Sequence, residues 1–280
     1  MRRIRSLKNL IWAVSILLCL GLMLVMLFTA AFTHYSGPKE RGGVLLGAED
    51  TSKEKKSKAK KQDADAADAA EAEGDLLRLA ETGDGGQAYL DSLTFLVDSR
   101  LIGLRNGLLS GGNETTQVWA SPTGSLPAAE LGACIIRYPQ DGSQISPGTA
   151  AMVAKPQRLV ICLGSDGLAQ VDQEGFQQAL GSLLRDIRSN SPDTQLILCS
   201  LPAATPGYAG SDGFSSALAA VANGWIQNLC RETGAYYADI GSLLRDGNGN
   251  LLEDYAESDG KTLNSAGLGQ VLLYLRGHTV

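Results

Sequence analysis

Residues 94–104 read TFLVDSRLIGL, and this stretch decides the fold. Residues 94–97 form a short apolar run of strand-favouring residues, which breaks at Asp98 and Ser99. In residues 100–109 the apolar positions fit one face of a helix. We therefore predict a strand, a tight turn that exposes Ser99, and a helix.

A serine at such a turn has two interpretations. At the C-terminal edge of a parallel sheet, beside the partly positive start of a helix, its hydroxyl would lie where α/β proteins place nucleophiles and anion sites. Alternatively, Asp98 and Ser99 only cap the helix, because both residue types are preferred at helix N-caps. The rest of the chain has to decide between these interpretations.

The N-terminal residues predict a membrane anchor. Residues 1–9 carry four basic side chains and no acidic one, and an uncharged apolar run follows over residues 10–32. A run of this length is enough to cross a bilayer, and no good signal-peptide cleavage site follows it. We predict a cytoplasmic tail at 1–9 and a single-pass signal anchor at 10–33, with the remaining chain extracytoplasmic because the basic residues precede the span. A buried core helix is the alternative.

Residues 34–75 form a low-complexity linker. Lysines dominate residues 53–61, and Asp, Glu and Ala dominate residues 63–75, with almost no large apolar side chain. Such a composition cannot build a core, so we expect a disordered, solvated tether. Contact of the lysine run with anionic head groups or anionic wall polymer is the alternative.

Residues 76–280 are long enough for one domain with a sizeable core. This part has 12 basic and 20 acidic side chains, a net charge of −8, which disfavours nucleic acid as a partner. The chain has five cysteines without metal-ligand spacing, and we expect no metal or other cofactor. Cys162 and Cys199 fall in apolar runs, whereas Cys134 and Cys230 are able to pair, although nothing in the sequence requires it.

Strand-like and helical patterns alternate in this domain. Helical faces separate the last three of five strand candidates, which indicates a parallel sheet between layers of helices. We predict a three-layer α/β/α domain with a mainly parallel five-stranded sheet and a last helix over about 265–276. The strand candidates are residues 94–97, 117–120, 158–163, 195–200 and 235–240.

Four polar blocks follow strands or precede the last helix: Asp98-Ser99, residues 121–124 (SPTG), residues 163–166 (LGSD) and residues 259–263 (DGKTL). Their order and spacing resemble the SGNH, or GDSL, hydrolase superfamily over essentially the whole domain. The resemblance implies a flavodoxin-like α/β/α fold and serine ester hydrolysis. In that superfamily a Gly-Asp-Ser block carries the nucleophile, a glycine and an asparagine from the next two blocks help form the oxyanion hole, and a terminal Asp-x-x-His block completes the triad.

The resemblance assigns Ser99 to the nucleophile, Gly124 to the second-block glycine and Asp259 to the triad acid, and it places Gly164 and Ser165 in the pocket. Three positions depart from the pattern. Val97 replaces the glycine of Gly-Asp-Ser, Asp166 replaces the asparagine, and Thr262 replaces the catalytic histidine.

The missing histidine is decisive for activity, because a serine hydroxyl needs a nearby base to take its proton. The chain has two histidines: His34 lies beside the predicted anchor, and His278 lies beyond the last helix. Lys261 would be a base only if its pKa were strongly lowered. Asp166, if ionised, accepts hydrogen bonds where the asparagine would donate one to an oxyanion.

Two weaker motifs, at residues 246–257 and 113–115, remain to be interpreted. Residues 246–257 place oxygen-bearing side chains at some EF-hand positions, but Leu251 occupies the glycine position, and a plain Gly-Asn-Gly turn is the better interpretation. Residues 113–115 (NET) form a glycosylation sequon that is meaningful only in a eukaryotic secretory pathway.

Three functional hypotheses follow. The leading one is a membrane-anchored extracytoplasmic domain of hydrolase fold that has lost catalysis and binds a cell-envelope glycan, an acylated envelope ligand or a protein partner. The second is an active ester hydrolase or O-acyl transferase on envelope carbohydrate, with Ser99 and a non-standard base. The third is a structural or assembly subunit.

Overall fold

The computed structural model of this chain describes residues 76–109 and 115–280. Within that part of the chain, no helix combines the length and apolar composition needed to cross a bilayer. The anchor predicted at 10–33 and the linker predicted at 34–75 lie outside the described residues, as does most of the sequon.

The predicted five-stranded sheet is confirmed, and all of its strand pairs are parallel. The strands are β1 Leu93–Val97, β2 Val118–Trp119, β3 Ile136–Arg137, β4 Gln144–Ile145, β5 Arg158–Cys162, β6 Gln195–Cys199 and β7 Tyr236–Ala238. The strand order in the sheet is β2-β1-β5-β6-β7, so β1 pairs with β5 on one side and with β2 on the other. A separate antiparallel hairpin of β3 and β4, which the sequence did not predict, lies between β2 and β5 in the chain.

Helices flank the sheet, and their ends follow local sequence signals. Asp172 caps the first of two 18-residue amphipathic helices by accepting a hydrogen bond from the Gly175 amide at 2.8 Å. Ser215 caps the next helix, which ends at Gly234 in the left-handed conformation. The helices are α1 Gly86–Asp91, α2 Pro147–Ala154, α3 Gln173–Asn190, α4 Ser216–Thr233, α5 Ile240–Leu243 and α6 Ser265–Gly277.

Two hydrophobic clusters cover the two faces of the sheet. Leu96, Ile161 and Leu198 face one side, where they belong to the same cluster as residues of α3 and α4. Phe95, Val97 and other alternate strand residues face the other side, in the cluster that contains residues of α1 and α6. Because both faces are buried, the central strands are continuously apolar rather than alternating.

The helix predicted at 100–109 is the main difference from expectation. The chain instead forms a short 3₁₀ helix, Ile102–Asn106, which ends at Gly107 in the left-handed conformation, with φ of 97°. Glycine adopts that conformation without the cost that a side chain imposes, so it stops the helix after five residues.

The sheet order also determines where polar loops meet. The order reverses between β1 and β5, because the chain continues from β1 to one neighbour and later returns to the other. Open α/β sheets bind ligands at the carboxyl ends of the strands that flank such a reversal. Ser99 follows β1 and Asp166 follows β5, so both lie at this edge.

Candidate active site

The half-buried Ser99 is in direct contact with Asp166. The Ser99 hydroxyl donates a hydrogen bond to Oδ1 of Asp166, while Oδ2 accepts hydrogen bonds from the backbone amides of Ser99, at 3.3 Å, and Leu126, at 3.0 Å. Asp166 itself is 8% exposed. The carboxylate is therefore held by three donors at the position that the resemblance gives to an amide donor.

Asp98 links the ends of the two central strands. Oδ2 of its buried carboxylate accepts hydrogen bonds from the Gly164 amide at 3.1 Å, and from the Ser165 amide and hydroxyl at 3.0 and 2.7 Å. Oδ1 accepts a hydrogen bond from the Arg100 amide at 3.1 Å. Asp98 thus holds the turn that carries Ser99 against the turn that carries Asp166.

Gly124, Gly164 and Ser165, which the resemblance placed in the pocket, each have close contacts within the protein. Gly164 has φ of +112°, and a side chain there would collide with the ring of Phe176. Ser165, predicted to line the pocket, is 2% exposed and turns its hydroxyl toward Asp98. Gly124 lies against Ile102, and its amide donates to the Ser121 carbonyl at 3.0 Å.

The final block contains a hydrogen-bonded pair, Asp259 and Thr262, at the positions that the resemblance gives to the triad acid and base. The Thr262 hydroxyl donates to Oδ2 of Asp259 at 2.6 Å, and the amides of Lys261 and Thr262 donate to Oδ1. Burial raises the pKa of Asp259, but these hydrogen bonds outweigh burial and hold the pKa below its ordinary value. Asp259 is therefore ionised near neutral pH.

Arg100 connects this block to the Ser99 turn. The Arg100 carbonyl accepts a hydrogen bond from the Leu263 amide at 3.0 Å, and Nη1 of the Arg100 side chain donates to the Lys261 carbonyl at 2.6 Å. Nη1 also donates to the Ala203 carbonyl, and the guanidinium lies 4.0 Å from the centre of the Phe214 ring. Residues 261–263 are thereby fixed beside the residue that follows Ser99.

Neither alternative base is available to Ser99. The Lys261 ammonium lies 2.5 Å from the Asp212 carboxylate. Burial lowers the pKa of Lys261, but the hydrogen bond and charge of Asp212 outweigh that effect and raise it above its ordinary value. His278 stacks on Tyr274 at the end of α6, next to the C-terminal residues that contact Tyr89 and Arg158 at the opposite edge of the sheet.

The cysteines and the loop at 246–257 are the remaining features for which the sequence made a prediction. Cys134 and Cys230 are both buried free thiols, and Cys162 and Cys199 end central strands. The Asp246 carboxylate accepts hydrogen bonds from the amides of Asn248 and Asn250, as in a tight turn. Among residues 76–109 and 115–280, no three His, Cys, Asp or Glu side chains are grouped so that they could hold a metal ion.

The sequence interpretation missed the structural roles of Asp98 and Arg100. Both are 1% exposed, and their partners come from loops far away in the chain, at 164–165, 203 and 261. The available signal was local: a charged pair directly after an apolar strand must be satisfied by other groups if the turn is buried. Nothing in the sequence identified those groups.

Asp98 gives the domain an expected pH dependence. Burial, together with the charge of Asp166, raises the pKa of Asp98 from 3.8 to about 6. Protonated Asp98 therefore contributes stability below about pH 4 that is lost as the pH rises through 6, on the order of 2 kcal/mol in the free energy of unfolding. Urea denaturation between pH 4 and 7 measures the loss. Asp166→Asn removes the neighbouring charge and should make the free energy of unfolding depend less steeply on pH. An equal dependence in both proteins would contradict the role of the Asp166 charge in raising the pKa of Asp98.

Comparisons with known proteins agree with this architecture. A family model described as the GDSL-like lipase/acylhydrolase family matches residues 111–268, more than half of the chain, beginning C-terminal to Ser99. A Streptococcus pneumonia structure provisionally described as a platelet activating factor shares 15% identity, with a TM-score of 0.51, over 68% of this chain and 89% of its own. This likeness shows a common fold.

Two further solved structures match less well. A GDSL-like lipase from Bacteroides thetaiotaomicron has 14% identity and a TM-score of 0.46, over 64% of this chain and 84% of its own. A Bacteroides fragilis structure provisionally described as an acylhydrolase has 17% identity and a TM-score of 0.47, over 69% of this chain and 94% of its own. No curated protein matches the chain.

Proposed function

The chain belongs to the GDSL-like lipase/acylhydrolase family, and from that premise we propose that its domain binds a cell-envelope glycan at the Ser99 site without hydrolysing esters. The observation that carries the proposal is the hydrogen bonding of Asp166. Its carboxylate accepts the hydrogen bond of the Ser99 amide, which a tetrahedral oxyanion would need as a donor. The carboxylate also places a negative charge where that oxyanion would form. An ionised carboxylate repels such an anion.

The base position supports the same conclusion. Thr262 is hydrogen-bonded to Asp259 but has no basic nitrogen, and a threonine hydroxyl does not take a proton from serine near neutral pH. Loss of an oxyanion donor costs on the order of 10² to 10³ in rate, and loss of a triad member leaves only residual catalysis. Both changes lower activity at the same serine.

The cellular setting of this proposal comes from the sequence. A signal anchor at 10–33 and a hydrated linker at 34–75 would hold the domain outside the membrane, within reach of envelope polymers. We infer no role for nucleic acid, given the acidic domain. A protein partner at another surface is the competing arrangement, and it predicts that variants of the Ser99 site leave partner capture unchanged.

One contact favours the enzymatic alternative. The Ser99 hydroxyl already donates to the Asp166 carboxylate, which is therefore placed to take that proton. The same carboxylate, however, occupies the Ser99 and Leu126 amides, so a proton acceptor is present only at the expense of oxyanion stabilisation. We therefore rank an ester hydrolase or O-acyl transferase second.

A fluorophosphonate probe separates the two functions. We expect the purified protein to show no labelling above that of its Ser99→Ala variant, because phosphonylation needs an activated hydroxyl. Gel fluorescence after incubation at pH 7 to 9 measures the labelling, with an active serine esterase as the positive control. Ser99-dependent labelling would refute the non-catalytic proposal.

A further inference from the structure

Residues 205–214 lie in the connection from β6 to α4, at the same edge of the sheet as Ser99. The two ends of this segment, Thr205 and Phe214, are buried. Each residue at 206–213 is instead half-buried or exposed. A stretch that buries little surface between two anchored ends has low local stability, so it can open while the rest of the domain stays folded.

Asp212 ties this segment to the loops on either side of it. Its Oδ2 lies 2.5 Å from the Lys261 ammonium, and its carbonyl accepts a hydrogen bond from the Gln170 side chain at 3.2 Å. Its Oδ1 accepts hydrogen bonds from the Tyr208 hydroxyl and, at 3.0 Å, from the Phe214 amide. The segment therefore bridges the edge of the sheet, from the loop after β5 to the final block.

The final block lies directly against the segment. The Gly260 carbonyl accepts a hydrogen bond from the Thr205 amide at 2.9 Å. Gly260 has φ of +76°, and a Cβ there would lie 2.7 Å from Oγ1 of Thr205 and 3.4 Å from Cα of Tyr208. The Lys261 ammonium lies 5.6 Å from the centre of the Tyr208 ring, within the range of a cation–π contact. Backbone contact and charge thus act together at this junction.

Arg100 lies between the two ends of the segment and the final block. Its Nη1 donates to the carbonyls of Ala203 and Lys261, and its guanidinium lies 4.0 Å from the centre of the Phe214 ring. Arg100 is 1% exposed, and its Nη2 is buried with no hydrogen-bond partner among the described residues. A buried donor without a partner raises the free energy of this closed arrangement, and water would satisfy it if the segment opened.

We propose that residues 205–214 form a lid over Arg100, which the ion pair of Asp212 with Lys261 latches closed. Two opposed contributions make the lid a two-state element, because the ion pair favours the closed state and the unpartnered Nη2 favours the open one. Opening would free the Lys261 ammonium and the Arg100 guanidinium, so the edge of the sheet would gain two cationic donors. The lid goes beyond the proposed function, since it governs access to this edge whether or not Ser99 is catalytic.

Hydrogen exchange followed by mass spectrometry tests the latch in the full-length protein. Lys261→Met removes the ammonium and keeps an unbranched side chain. The amides of Tyr208 and Gly213 donate to carbonyls inside the segment, at 3.1 and 2.9 Å, so their exchange reports opening. We expect peptides from 206–213 to exchange at least about fivefold faster in Lys261→Met than in the wild-type protein, with the central strands unchanged, because the lost contact joins two charged groups.

Three results would overturn the inference. The first is unprotected exchange of these peptides already in the wild-type protein, which would mean that no latch holds them. The second is equal exchange in both proteins. The third is faster exchange throughout the domain in Lys261→Met, which would make the ion pair a general stabilising contact rather than a latch.

Two further variants serve as controls. Lys261→Arg keeps a cation opposite Asp212 and should retain most of the protection. Arg276→Met removes a cation from another ion pair, with Asp84 at the far end of α6, and should leave exchange at 206–213 unchanged. If Arg276→Met accelerates that exchange as much as Lys261→Met does, the effect is not specific to the latch and the inference fails.

Arginine modification tests whether the lid covers Arg100. Phenylglyoxal reacts with accessible guanidinium groups, and mass spectrometry measures the extent of reaction at each arginine. Modification of Arg100 should accelerate in Lys261→Met by about the same factor as amide exchange at 206–213, whereas the exposed Arg137 should react equally in both proteins. Faster amide exchange without faster modification of Arg100 would show that the segment opens but covers nothing, which overturns the lid.

Discussion

In the double variant Thr262→His/Asp166→Asn, hydrolysis of p-nitrophenyl acetate should rise by at least about 10³-fold over the wild-type protein, because general-base catalysis contributes about 10² to 10⁴ and one oxyanion donor about 10² to 10³. The substituted side chain would carry no negative charge and would offer an amide N–H donor where the Asp166 carboxylate now only accepts hydrogen bonds. The Ser99 hydroxyl would no longer donate to a carboxylate at position 166, so its proton would be available to the imidazole. An imidazole at 262 would find Asp259 already in place, since the Thr262 hydroxyl lies 2.6 Å from it.

The single variants and a triple variant control this experiment. Each single change should give much less activity than the pair, because base and oxyanion donor act on one transition state. Addition of Ser99→Ala must abolish the gain, which shows that the new activity uses Ser99. A double variant no faster than this triple variant would mean that the scaffold does not hold the nucleophile in a productive position.

Gly164→Ala should lower the free energy of unfolding by about 3 kcal/mol, combining about 1–2 kcal/mol for a side chain in the left-handed region with about 1–3 kcal/mol for overpacking. Gly164 has φ of +112°, and its added Cβ would lie 2.6 Å from Cε2 of Phe176. Phe176 lies on α3 and is fully buried in the hydrophobic cluster on that face of the sheet. Urea denaturation at pH 7 measures the change.

Gly207→Ala is the matched control. An added Cβ at Gly207 would have no other atom within 4 Å, and the residue has no positive φ, so its change in stability should stay within about 0.5 kcal/mol. If Gly164→Ala is no more destabilising than this control, the turn after β5 is not constrained as the structure indicates. The position of Asp166 would then be less well defined too.

Secondary structure was predictable where the pattern was strong. The candidate strands at 158–163 and 195–200 became β5 and β6, and the last helix formed as Ser265–Gly277. The candidate at 117–120 shortened to Val118–Trp119, because Ala120 instead bridges Arg137 of the hairpin. The helix predicted at 100–109 failed because periodicity takes no account of the glycines at 103 and 107.

By itself the sequence determined the class of fold and provided the candidate residues for a site at one edge of the sheet. Continuous apolar strands separated by amphipathic helices have few ways to bury their surfaces, so the parallel sheet followed from composition and period. The absence of an imidazole at position 262 was equally plain. Such properties depend on residues close together in the chain, and a pattern records them directly.

Only the tertiary structure decided how the polar groups are paired. The contacts of Asp166 with Ser99, of Asp98 with Gly164, and of Arg100 with Lys261 each join loops far apart in the chain. Their geometry depends on strand order and on left-handed turns, which bring carboxylates within hydrogen-bond distance of particular amides. Hydrogen bonds act over about 3 Å, so the direction of each bond, and with it the polarity of the site, exists only after the sheet has assembled.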